Sequence, residues 1–157
     1  MKAGFHIIRD KDSKNELKAH LSSSVNNKIT QATFGSREDR NRLIKEQNRL
    51  IIYSVINSPK ITEDELVAYA GNKNLSKEVP FLISTNRDFT KKYIVKVALV
   101  NNPKTPLVTS TKFLKHLIGK DLTKVAKNKN VPKVLSKTAF KMLVNKGNKA
   151  GIPVERL

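Results

Sequence analysis

Between Asn101 and Thr109 the chain reads N-N-P-K-T-P-L-V-T, with Pro103 and Pro106 set between apolar runs of helical spacing. Proline cannot continue a helix, and it pushes the residue before it into an extended conformation. At the first helical position it loses nothing, because that amide has no helical acceptor and the fixed φ suits a helix start. Pro103 is therefore expected to stop one helix and Pro106 to open the next, which makes N-P-K-T-P a rigid elbow. Pro59, after Val55-Ile56-Asn57-Ser58, reads as a second stop, and Pro132, after Asn130-Val131, as a second start. Punctuation of this kind predicts a stack of short helices.

Other signals agree. Ser36-Arg37-Glu38-Asp39 places a capping serine before first-turn acids, and Thr62-Glu63-Asp64-Glu65 is a full capping box in which Thr62 and Glu65 satisfy each other's free amides. Apolar residues follow at helical spacing: Leu66, Val67, Tyr69 and Ala70 after Thr62; Tyr93, Ile94, Val97 and Ala98 after Asp88; Leu107, Leu114, Leu117 and Ile118 after Pro106. Strict two-residue alternation is not sustained anywhere. The run Leu50 to Ile56 is apolar enough for a buried strand, but such a strand would have no partner, so a buried helix is expected. The predicted class is all-α.

The punctuation repeats. I-I-Y-S-V-I-N-S-P-K-I-T, Ile51 to Thr62, aligns with V-K-V-A-L-V-N-N-P-K-T-P, Val95 to Pro106, and Gly71 to Lys77 aligns with Lys127 to Lys133. The second spacing is longer by about one helix, taken as Leu107 to Ile118, and Thr85-Asn86-Arg87-Asp88 is a weaker third echo. Asn102-Pro103-Lys104-Thr105-Pro106, the apolar helix before it and the Leu-x-x-Leu spacing of Leu114 and Leu117 resemble the leucine-rich repeat variant and related HEAT- or armadillo-like helical repeats of bacteria. The run from about Ser36 to Leu143, with its S-P-K-I-T and N-K-N-V-P elements, resembles bacterial proteins that carry the same N-P-K-T-P segment. The resemblance implies a right-handed stack of short helices, an α-solenoid, acting as a binding scaffold. This chain departs from it in the unequal length of its units and in lacking the cysteine cluster that holds an iron–sulfur centre in some variant-repeat proteins.

A length of 157 residues with 38% hydrophobic content fits a single domain with a modest core. The expected organisation is a flexible amino terminus over 1–12, a helical-repeat domain over 13–144 with units of about 36–90 and 91–144, and a flexible tail over 145–157. Glu16 to Leu21 and Asn26 to Phe34 read as a capping helix pair, the second closed by Gly35. No cysteine is present, which excludes disulfides, cysteine-ligated metals and thiol nucleophiles. The amino terminus reaches a charge too soon for a signal peptide, and no run approaches a membrane span, so a soluble, cytoplasmic protein is expected.

Catalytic patterns are missing. His6, His20 and His116 are the only histidines and lie far apart, and no metalloprotease, nucleophile-elbow, P-loop or dinucleotide motif occurs. Glu63, Asp64 and Glu65 are accounted for by helix-dipole complementation and the capping box. A helical-repeat glycosylase would need an acid beside aromatics in a basic groove, and the carboxy-terminal part offers only Asp121 and Glu155 and no tryptophan. The expectation is a non-enzymatic protein without cofactor, metal or small-molecule substrate.

Charge is the dominant functional signal. The net charge is +18, and residues 91–157 hold 16 basic side chains against 2 acidic ones. A clustered basic surface attracts polyanions, although 24 of the 31 basic residues are lysine, as codon bias in an AT-rich genome would also produce. The candidate polyanion-binding residues are Lys92 and Lys96, Lys112 and Lys115, Lys120, Lys124, Lys127 and Lys129, and Lys133, Lys137 and Lys141. Lys133, Lys137 and Lys141 share one helical face while Leu135, Ala139, Met142 and Leu143 line another, and like charges at that spacing repel by a few tenths of a kcal/mol per pair. Lysine in place of arginine argues against reading base edges, and 6% aromatic content argues against a base-stacking surface. The expected partner is nucleic acid, duplex DNA or structured RNA, held by its backbone with weak sequence preference. An acidic protein surface is the alternative, and an anionic membrane surface is less well supported because no helix has the required bulky apolar face.

Overall fold

Helices account for all the regular structure in a computed structural model that describes the backbone of residues 22–149 and the side chains of residues 22–147; no strand occurs among them. The ten helices are α1 (22–34), α2 (Arg37–Leu43), α3 (Arg49–Ile56), α4 (Glu63–Gly71), α5 (Glu78–Thr85), α6 (Arg87–Lys91), α7 (Tyr93–Val100), α8 (Leu107–Leu114), α9 (Gly119–Lys127) and α10 (Lys133–Lys149). They gather into two compact units divided between Lys60 and Ile61. That division differs from the repeat units expected at 36–90 and 91–144. Ser58 and Lys60 are tied back to α1, whereas Thr62 opens a new helix.

In the first unit Ala32, Leu43, Ile44, Ile51, Ile52, Val55 and Ile56 are buried, and the apolar run after Leu50 is the helix α3. The capping serine behaves as its sequence predicts: Asp39 N donates to Ser36 Oγ, and Ser36 N donates back to Asp39 Oδ2 at 3.0 Å. α1 already runs from residue 22, earlier than the expected start at Asn26, and Gly35 closes it with its N–H on Gln31 O at 2.8 Å. A Cβ on Gly35 would meet the Gln31 carbonyl oxygen and Asp39 Oδ2, so only glycine fits between the two helices. Residues 1–12 and Glu16 to Leu21 lie outside the described residues.

The second unit packs α4 on α5 and α7, α7 on α8, and α10 on both α8 and α9. Val100, Leu114, Leu117, Leu122, Val125, Val131, Leu135, Ala139 and Leu143 form one core cluster. The Thr62–Glu65 capping box is present, with Thr62 N donating to Glu65 Oε2 at 3.0 Å. Three expectations are corrected. The buried face of α7 is Val95, Leu99 and Val100, while Tyr93 and Ile94 are exposed, because the backbone extends at Lys92 and restarts the helix in a different phase. The helix after Pro106 ends at Leu114, and Ile118 is the exposed residue before α9. α10 continues through Asn145 to Lys149, into the segment expected as a tail, where Lys146 Nζ donates to Leu117 O at 3.1 Å and Gly147 is buried. Residues 150–157 lie outside the described residues.

The elbows that align in sequence also share their hydrogen bonds. Asn57 and Asn101 each turn a side-chain amide onto the carbonyl four residues back, Tyr53 O and Val97 O, both at 2.9 Å. The next residue is buried and donates to an earlier helix end: Ser58 Oγ to Thr33 O at 2.7 Å, and Asn102 Nδ2 to Ala70 O at 2.8 Å. That side chain also accepts the N–H of the lysine beyond the proline, Lys60 N to Ser58 Oγ and Lys104 N to Asn102 Oδ1. The lysine ammonium then donates to a second carbonyl, Lys60 Nζ to Phe34 O at 2.6 Å and Lys104 Nζ to Leu75 O at 2.7 Å. Asn72, Asn86 and Asn128 end α4, α5 and α9 with ψ of 109°, 117° and 112°, and each Oδ1 accepts the N–H two residues on at 2.9 Å. Pro106 and Pro132 sit one position earlier than expected, immediately before the first helical residue. Their carbonyls there accept the opening helical bonds from Ser110 N and Ser136 N, and Pro132 O also accepts from Leu135 N.

Asn102→Ala should therefore destabilise the second unit by about 1–3 kcal/mol, because it orphans Ala70 O and Lys104 N. Thr105→Val should be nearly neutral, since the buried Thr105 Oγ1 has no hydrogen-bond partner among the described residues to lose. Gly35→Ala should cost about 1–3 kcal/mol from overpacking. Urea unfolding of the three variants checks all of these.

Candidate polyanion interface

From Phe89 to Gly147 the sequence contains a single acidic residue, Asp121. It sits in the first turn of α9, only 8% exposed. Tyr93 Oη donates to Asp121 Oδ2 at 2.6 Å, Ile118 N donates to Tyr93 Oη at 3.1 Å, and Lys124 Nζ lies 3.3 Å from Asp121 Oδ1. The tyrosine hydrogen bond, then Lys124 and the nearby Lys120, hold the Asp121 carboxyl below its ordinary value against the opposing effect of burial. Burial and the adjacent carboxylate raise the Tyr93 hydroxyl. Asp121 thus joins α7 to α9 and is withdrawn from solvent. This segment presents no exposed carboxylate.

The lysines divide into two groups. Lys91 pairs with Asp88 at 2.8 Å, Lys92 with Glu63 at 2.6 Å and Lys124 with Asp121, while Lys104 and Lys146 are bonded to backbone carbonyls. The other nine, Lys96, Lys112, Lys115, Lys120, Lys127, Lys129, Lys133, Lys137 and Lys141, make no hydrogen bond or ion pair with any described residue. Eight of these are exposed and Lys96 is half-buried. The structure places Lys133, Lys137 and Lys141 on the solvent side of α10 opposite Leu135, Ala139 and Leu143, as their spacing predicts. Of the eleven candidates, Lys92 and Lys124 are the two engaged with carboxylates among the described residues.

Lys137 and Lys141 also line a shallow groove of about 320 Å³ between α9 and α10, with Ala126, Ser136 and Phe140. Sequence reasoning missed this groove. The available signal was Phe140, an aromatic residue out of phase with the buried positions 135, 139 and 143 of its helix. His116 is exposed, and His6 and His20 lie outside the described residues. No group of three or more His, Asp or Glu that could hold a metal occurs among the described residues, and no described helix is long and apolar enough to cross a membrane. Compared with protein-family models, curated proteins and solved structures, the chain matches none.

The Tyr93–Asp121 link has a defined pH window. Asp121 titrates lower folded than unfolded, so its contribution is present above 3.8 and is lost as pH falls through the folded value. Tyr93 titrates higher folded than unfolded, so its contribution is present below 10.0 and is lost as pH rises through the folded value. Asp121→Asn should destabilise the protein by about 1.5–3 kcal/mol at neutral pH. The gap between wild type and variant should narrow once pH drops below 3.8, as urea unfolding over a pH series would measure.

Proposed function

We propose that this protein is a non-enzymatic helical-repeat scaffold whose basic segment from Lys92 to Lys141 binds the phosphate backbone of nucleic acid, duplex DNA or structured RNA, with weak sequence preference. One observation carries the reading: nine lysines have no partner among the described residues, in a segment whose sole acid is buried. Surface charges of a self-contained protein gain a little from interspersed opposite charges, and a helix face with like charges four residues apart loses a few tenths of a kcal/mol per pair. Phosphates would remove that repulsion and release counterions. Lysine is a compact, hydrated point charge suited to phosphate and poorly suited to reading guanine edges. The matched elbows support the helical-repeat reading, because they show one set of side-chain-to-carbonyl bonds used twice in the chain.

Fluorescence polarisation with labelled duplex DNA, structured RNA and heparin, over a range of salt concentrations, tests the reading. The expected result is binding to nucleic acid in preference to heparin that weakens steeply with salt. Changing Lys133, Lys137 and Lys141 to glutamine should reduce the logarithmic salt slope by about 0.9 for each phosphate contact removed. Binding no better than heparin and indifferent to the triple change would overturn it and point to an acidic protein partner.

A further inference from the structure

The groove beside α10 is a different kind of surface from the lysine rows of the same segment. Its wall is Phe140, 49% exposed, facing Ala126 of α9. Lys137 and Lys141 complete the lining; their alkyl stems are apolar, and their ammonium groups have no partner among the described residues. The two lysines stand four residues apart, about 6 Å along the helix axis, a separation that long flexible side chains adjust to neighbouring phosphates. Ser136 Oγ donates to Lys133 O at 3.1 Å, which leaves its lone pairs free to accept a hydrogen bond at the groove edge.

The dimensions select the occupant. An amphipathic peptide helix needs a groove that receives side chains at i, i+3 or i+4 and i+7, and this one is a single helical turn long. A planar aromatic group fits one such turn, and the flanking positive charges call for anions on both sides of it. Building on the polyanion reading above, we infer that this groove seats one unpaired nucleobase, stacked on Phe140, with the phosphates on either side of it held by Lys137 and Lys141. The ligand is then nucleic acid with an unpaired residue, a single strand or a bulge. Duplex regions contact only the surrounding lysines. One stacking position fits the low aromatic content, which excludes an extended platform but not a single seat.

The test uses polarisation binding of three probes: a short oligothymidylate, the same strand with abasic sites in place of bases, and a duplex. The base-containing strand should bind about tenfold more tightly than the abasic strand. Phe140→Ala should abolish that difference and leave duplex affinity unchanged, and Phe140→Trp should preserve it. Phe140 is half-exposed, so both variants retain the core. Equal affinity for the base-containing and abasic strands would overturn the inference while leaving backbone binding intact. So would a Phe140→Ala variant that weakens all three probes alike. Polyglutamate binding that Phe140→Ala weakens tenfold would assign the groove to an acidic peptide instead. Failure of duplex and strand alike to bind would remove the polyanion reading and the base site with it.

Discussion

A short helix has more ends than middle. Each helix leaves four carbonyls without an intrahelical donor at its carboxy terminus, and in the eight-residue helices α3, α5, α7 and α8 these are half of all the carbonyls. A chain built from such pieces can be stable only if something supplies donors to those groups. For the longer α1 and α4 some of the donors come from a later elbow: Ser58 Oγ and Lys60 Nζ reach Thr33 O and Phe34 O of α1, and Asn102 Nδ2 reaches Ala70 O of α4, while Lys104 Nζ takes Leu75 O in the loop after α4. Each elbow closes the end of an earlier element while ending its own helix. Capping and tertiary docking are therefore one interaction, and the apolar core assembles within positions that these bonds set.

This requirement also sorts the lysines. Lys60, Lys104 and Lys146 have their ammonium groups on backbone carbonyls, where the charge complements the negative end of a helix or fixes a turn. Lys133, Lys137 and Lys141 make no such bond among the described residues. Composition counts both kinds alike, so the net charge overstates what is available to a partner. The distribution of the remaining charges, in a segment whose single acid is internalised, is the more informative quantity.

What was legible in the sequence was local chemistry. Proline and the capping residues at Ser36 and at Thr62–Glu65 act within a few residues through backbone constraints, and they marked their helix ends to within a residue or two. The phase of short helices was not legible in the same way. Eight residues give barely two turns of periodicity, so the extended backbone at Lys92 was enough to move the buried face of α7 from Tyr93 and Ile94 to Val95 and Leu99. Contacts across sequence were equally hidden. Lys104 reaches Leu75, and Lys146 reaches Leu117, over 29 residues, and Tyr93 reaches Asp121 over 28. Nothing in the spacing of those residues distinguishes them from solvated neighbours. The lysine face of α10 was readable because its period is helical, whereas the groove beside it also needed Ala126 from another helix.

The internal position of Asp121 has a consequence for assembly. A surface that mixes both signs of charge can pair with a rotated copy of itself, each positive group meeting a negative one across a twofold axis. The segment from Phe89 to Gly147 offers only positive groups, so two copies brought together through it confront lysine with lysine. Charge alone therefore works against pairing two copies through this segment, unless an anion lies between them.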